Sequence, residues 1–103
     1  MYKLEFLSLA KEDMDNIINY ISHELKNKNA ALNLANDFIN QTNNILLFPY
    51  SNPIYSPFKK LKNEYRVDKI KNFLMFYIIN EDKKIITIVR VIYNKRNIEN
   101  LLD

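Results

Sequence analysis

The apolar residues of this chain repeat at one period up to Leu46 and at another from Tyr65 onward, with Pro49, Pro53 and Pro57 between the two regimes. A three-to-four-residue repeat gives a helix one apolar face, whereas alternation gives a strand two distinct faces, so the halves are committed to different secondary structure. Ala10, Met14, Ile17, Ile18, Ile21 and Leu25 share a helical face, which predicts a first helix from an N-cap at Ser8 to about Lys26. Glu12, Asp13 and Asp15 fall in its early turns, where the helix dipole favours negative charge. After the short polar break KNKNAA, a cap at Asn29 would open a second helix with the face Ala31, Leu34, Ala35, Phe38, Thr42, Ile45 and Leu46. So short a break makes the pair an antiparallel hairpin, and the prolines stop it from continuing.

Ahead of the helices, Leu4 and Phe6 alternate with polar residues as a short strand would. Beyond the prolines, EYRVDKI, FLMFYIIN and KIITIVRVIY are three β-rich runs separated by short polar turns, in which Asn72 and Asn80 are the residues that best tolerate a left-handed backbone. The expected fold is therefore α+β, in the order β-α-α-β-β-β, with the helical hairpin packed on one face of a small, mainly antiparallel sheet. All of residues 1–103 belong to one domain on this reading, because a chain this short with 48% hydrophobic residues buries one modest core.

Composition narrows the chemistry. There is no cysteine for disulfides or thiolate ligands and no glycine for a phosphate-cradling loop, and no familiar metal-ligand spacing occurs, so no cofactor or metal is expected. The one histidine, His23, stands between Ser22 and Glu24, off the apolar positions, and is read as solvent-facing. The longest apolar run, Phe73 to Ile79, is too short to cross a bilayer and the N-terminus is a poor signal peptide; a soluble cytoplasmic protein without a membrane partner is expected.

Charge is divided unevenly. Up to Tyr50 there are four lysines against six carboxylates, net −2, and from Ser51 eleven basic residues against six carboxylates, net +5. The positive half suits an acidic partner, either nucleic acid or protein. Its candidates are Lys59, Lys60, Lys62, Tyr65, Arg66, Lys69, Lys71, Tyr93, Lys95 and Arg96; if the start of the first meander strand meets the end of the last, Arg66, Arg96 and the lysines form a cationic patch with tyrosines beside it. Arg90 is a separate case. Strict alternation sets it on one face with Ile86, Ile88 and Ile92, so it needs an ion-pair partner, such as Asp68 or a helix carboxylate, or a groove to point into.

Three stretches carry a resemblance: SLAKEDMDNIINYI, AALNLANDFINQTNNILLFPYSNP, and the block YRVDKIKNFLMFYIINEDKKIITIVRVIYNKRN with its Tyr-Arg strand, Phe-Tyr strand and closing basic pair. Through them the chain resembles the RelE/ParE superfamily of toxins from type II toxin-antitoxin systems. The resemblance implies the same β-α-α-β-β-β fold and a cognate antitoxin protein, expected to be acidic. It also implies one of two targets. RelE-like members are ribosome-dependent endoribonucleases that cut mRNA; ParE-like members inhibit DNA gyrase without catalysis.

Arg66 and Arg96 match catalytic basic positions of the nuclease pattern, but Asp68 stands where a strand lysine is expected and Leu74 where a second cation is. A chain ending at Asp103 leaves little room for the nuclease's C-terminal tyrosine. The long helical hairpin, the Phe48-Pro49 exit and IVRVIY are closer to ParE-like chains. The ParE-like reading is preferred, with the ribosome and its mRNA as the alternative target. On either, Lys59, Lys60, Lys62, Tyr65, Arg90, Tyr93 and Lys95 are candidates for contact with target or antitoxin.

Overall fold

A computed structural model of the chain describes residues 1–57, 60–95 and 98–102. Strand β1 (Lys3–Phe6) leads into helix α1 (Ser8–Asn19), a π-helical turn (Tyr20–Glu24) and helix α2 (Lys28–Leu47); then come β2 (Arg66–Ile70), β3 (Phe73–Asn80), β4 (Ile85–Tyr93) and the short helix α3 (Glu99–Leu102). The sheet formed by the described residues has the order β1-β4-β3-β2. The meander is antiparallel as expected, and β1 adds a parallel pairing with β4, Lys3 to Ile85 through Phe6 to Ile88.

The helical hairpin forms, but its boundaries differ from the sequence reading. Ser8 is the first residue of α1 rather than its cap; Leu7 takes the cap position and makes no side-chain bond. At the second helix Asn27, not Asn29, is the cap, its Oδ1 accepting from the Ala30 N–H at 3.0 Å. The first helix does not run on to Lys26. After Asn19 the winding widens, with Leu25 N–H donating to the Tyr20 carbonyl at 3.1 Å, and Lys26 takes a left-handed φ of 51°. That extra residue turns Leu25 out of the core, where it is 56% exposed.

Two corrections concern the strands. The left-handed corners fall on Lys71 (φ 53°) and Lys84 (φ 56°) rather than on the neighbouring asparagines. Asn80 instead serves its turn through its side chain, accepting from the Lys83 N–H at 3.0 Å. More consequentially, alternation along β4 is broken. Phe76 pairs with Arg90 and Tyr77 with Ile88, so Val89 is an extra residue, a β-bulge. Before it, Ile86 and Ile88 face the helices; after it, Val91 does, while Ile92 has moved to the opposite side. Arg90 therefore shares a face with Ile92 but not, as unbroken alternation would have required, with Ile86 and Ile88.

Both faces of the sheet are buried. On one, Met75, Tyr77, Ile86, Ile88 and Val91 pack against Ala10, Leu34, Phe38 and Ile45 of the helices. On the other, Phe76, Val89 and Ile92 pack beneath Tyr55, Leu61 and Tyr65 of the proline-rich segment and Ile98, Leu101 and Leu102 near the C-terminus. This second core explains why FLMFYII is apolar throughout instead of alternating.

Arg90 ties the two cores together. Pairing with β1 ends at Ile88, which leaves the outer edge of β4 uncovered beyond that residue. Asp13 of α1 fills the gap: its carboxylate accepts from the Val91 N–H at 3.0 Å and from Arg90 Nε and Nη2 at 2.7 and 2.9 Å. Arg90 Nη1 donates to the Leu101 carbonyl at 3.1 Å. The side chains of the pair are only 19% and 15% exposed, and Asp13 raises the Arg90 pKa further above its usual value.

Phe38→Ala should cost about 3–5 kcal/mol in urea denaturation, the usual range for deleting a buried aromatic; a change of a few tenths would contradict the packing of α2 on the sheet. Asp13→Ala should cost on the order of 3 kcal/mol by leaving a guanidinium half-buried and unpaired. Adding Arg90→Met to that variant should recover much of the loss, whereas additive losses would show that the two residues act separately.

Candidate functional site

The expected cationic patch is divided. In a three-stranded meander the first strand starts at one end of the sheet and the third finishes at the other. Arg66 lies opposite Tyr77 and Tyr93 opposite Phe73, four residues apart on β3 and on its two flanks. The separation is about 13 Å along the strand, plus two strand spacings of roughly 4.8 Å each across it. Lys59 and Arg96 lie outside the described residues.

At the Arg66 end, the side chains are occupied in holding the loop after α2. Arg66 Nη1 donates to the carbonyls of Asn52 at 2.7 Å and Tyr50 at 3.3 Å, and its guanidinium lies 4.9 Å from the centre of the Tyr50 ring. Tyr77 donates to the Pro49 carbonyl at 2.6 Å, and burial raises its pKa. Glu81 gathers the neighbouring segments: the hydroxyls of Tyr2 and Tyr50 both donate to its Oε1 at 2.6 Å, and Lys84 bonds its other oxygen. Asp68, two residues beyond Arg66 on the same strand face, is 8% exposed, and its Oδ2 has no partner. It is not the partner of Arg90, which is Asp13.

The remaining candidates divide in kind. Tyr65 is not available for stacking; it is 3% exposed, and its hydroxyl donates to the Leu102 carbonyl at 3.2 Å. Lys60, Lys62 and Lys95 are exposed. Tyr93 is 55% exposed and meets Phe73 edge to face, with ring centres 5.7 Å apart.

Tyr93 belongs to a feature that sequence reasoning missed. A groove of about 620 Å³ opens between the end of α1 and the far end of the sheet, lined by Asn16, Ile17, Tyr20, Ile21, Leu25, Asn72, Phe73 and Tyr93. Its walls are mostly apolar, and Tyr20 and Leu25 stand 56% exposed at its rim. The π-helical turn builds it by turning Leu25 outward, and the bulge builds it by bringing Tyr93 round to the helix side. Lys95, exposed two residues beyond Tyr93, sets positive charge beside the apolar surface, whereas Lys71, next to Asn72, is paired with Asp37 at 3.1 Å. The available signal was local: Tyr20 falls between the core positions Ile17 and Ile21, where a surface helix residue is usually polar. Such a surface suits an apolar protein segment better than bond-breaking chemistry.

A family model described as ParE toxin of type II toxin-antitoxin system, parDE, matches residues 4–98 of the chain. A chain of the chromosomal ParDE toxin-antitoxin system from P. aeruginosa superposes with a TM-score of 0.71 at 18% identity, covering 92% of this chain and 98% of that one. A chain of the intact E. coli RelBE toxin-antitoxin complex gives 0.60 at 14% identity, covering 93% and 100%. At these identities the two structures show a common fold. No curated protein sequence matches. Among the described residues, no helix is long and apolar enough to cross a membrane.

Asp68 offers a direct test of the Arg66 end. Burial raises its carboxyl pKa, so the folded chain keeps a proton that the unfolded chain has already released. Its contribution to stability is therefore fullest below the unfolded pKa and is lost as pH rises through the folded one. Asp68→Asn should melt higher than the parent at neutral pH, with the advantage shrinking in acid; an equal difference across thermal melts from about pH 3 to pH 7 would contradict this.

Proposed function

We propose that this chain, which belongs to the ParE toxin family of type II toxin-antitoxin systems, is a growth-inhibitory toxin that acts by binding DNA gyrase rather than by cutting RNA. The observation that carries the reading is the use made of Arg66. Its Nη1 bonds two loop carbonyls and its guanidinium lies over the Tyr50 ring, so the cation is used to hold the loop after α2. The next inward polar side chain on that strand is Asp68, a buried carboxylate where a nuclease would place a cation. Ribosome-dependent cleavage through Arg96 is the alternative target reading.

The neutralising partner in this proposal is a cognate antitoxin, and the groove beneath Tyr20, Leu25 and Tyr93 is its seat. An apolar helix face or extended segment with an acidic border fits a mostly apolar channel with Lys95 beside it.

The test is induction of the chain and of its Arg96→Ala variant in a bacterial host, with mRNA ends and plasmid supercoiling read from the same cultures. The expected result is altered supercoiling with intact mRNA in both. New mRNA ends at codon boundaries that disappear with Arg96→Ala would overturn the gyrase reading and make the chain a nuclease.

A further inference from the structure

The outward side of α2 carries a second pattern, which the groove does not use and which meets the core only at its last residue, Leu46. Leu32, Asn36, Ile39, Asn43 and Leu46 are separated by alternating steps of four and three residues, the spacing of a helix-on-helix seam. Leu32 and Ile39 are 61% and 58% exposed, Asn36 and Asn43 are exposed, and Leu46 is half-buried. Exposed Leu47 extends the apolar end. The surface is also nearly uncharged: of the exposed residues of α2, only Lys28 at its first position carries a charge. Asp37 is half-buried and paired with Lys71 at 3.1 Å. In a chain with 26% charged residues, a long helix whose exposed side carries no charge beyond its first residue has the composition of a covered surface.

We propose that this seam pairs two copies of the chain, α2 against α2, antiparallel about a two-fold axis at Ile39. The occupant follows from the symmetry of the pattern. A two-fold interface presents one patch twice, so each position meets its mirror position. Inversion about Ile39 sets Leu32 against Leu46 and Asn36 near Asn43, so apolar meets apolar and amide meets amide. Each side-chain amide both donates and accepts, which lets an Asn36–Asn43 pair satisfy itself without a partner of different chemistry. The lack of charge also lets two chains of net charge +3 approach without opposing like charges at the contact.

Size sets the strength. The helix from residue 32 to residue 46 is about 21 Å long at 1.5 Å per residue and about 10 Å across. That strip is well below the roughly 800 Å² per partner of a durable interface, so the dimer is weak and depends on concentration. It leaves the groove beside Tyr20 and Tyr93 open, and stands or falls independently of the choice of target.

Sedimentation equilibrium of the purified chain over a range of concentrations tests it. The mass should rise from monomer towards dimer, while Ile39→Lys, which sets two like charges together at the axis, should stay monomeric with an unchanged circular dichroism spectrum. If that variant fails to fold, Leu32→Lys gives the same comparison away from the axis. Because the chain has no cysteine, orientation can be read by oxidative cross-linking. Asn36→Cys chains mixed with Asn43→Cys chains should cross-link faster than Asn36→Cys chains alone. A monomer at every concentration, charged variants that dimerise like the parent, or fastest cross-linking by Asn36→Cys alone would each overturn the proposal.

Discussion

The architecture depends on what happens at the edge of β4 where β1 stops. A strand that loses its neighbour midway exposes backbone donors and acceptors, and in this chain the loss coincides with the crossing of α1 over the sheet. Asp13 resolves both at once by accepting a backbone N–H and a guanidinium with one carboxylate. The bulge at Val89 makes this possible, because it rotates the strand so that Arg90 can reach α1 on one side and the Leu101 carbonyl on the other. The helices, the sheet and the C-terminal segment thus meet at one ion pair. A purely apolar residue at position 90 could fill space there but could not satisfy Asp13.

That arrangement separates the ends of the sheet by character. At one end, Arg66, Tyr50, Glu81 and Tyr2 hold the proline-rich loop, the β3–β4 turn and the N-terminal strand in a single polar network. At the other, Tyr20, Leu25 and Tyr93 expose apolar surface with lysines nearby. The first end is closed upon itself and the second is open. This is the physical basis for placing a partner at the second and a structural role at the first.

The legibility of the sequence follows the same division. Period and proline placement were enough for the element order, the antiparallel meander and the buried face of α2, because those depend on local pattern. Ion pairing of Arg90 with a helix carboxylate was among the alternatives for the same reason: a cation among apolar strand residues has few outlets. The bulge was not legible, since Val89 is an ordinary strand residue and only its missing partner on β3 marks it out. Once it was missed, every face assignment beyond it failed, and with them the groove that Tyr93 helps to line. The burial of Tyr65 was hidden differently, because its cover comes from residues far away in sequence. The π-helical turn likewise arises from how α1 must end over the sheet rather than from any residue's preference.

The absence of glycine, and the left-handed backbone at Lys26, Lys71 and Lys84 that goes with it, reaches beyond the native structure. A left-handed residue with a Cβ costs roughly 1–2 kcal/mol in the folded chain. In the denatured ensemble the same Cβ atoms remove conformations that glycine would allow, an effect worth about 0.4–1 kcal/mol per site in the opposite direction. The two contributions partly offset each other at each corner. The chain therefore folds from a denatured ensemble narrower than one with glycine corners, and carries the remaining strain at three exposed lysines.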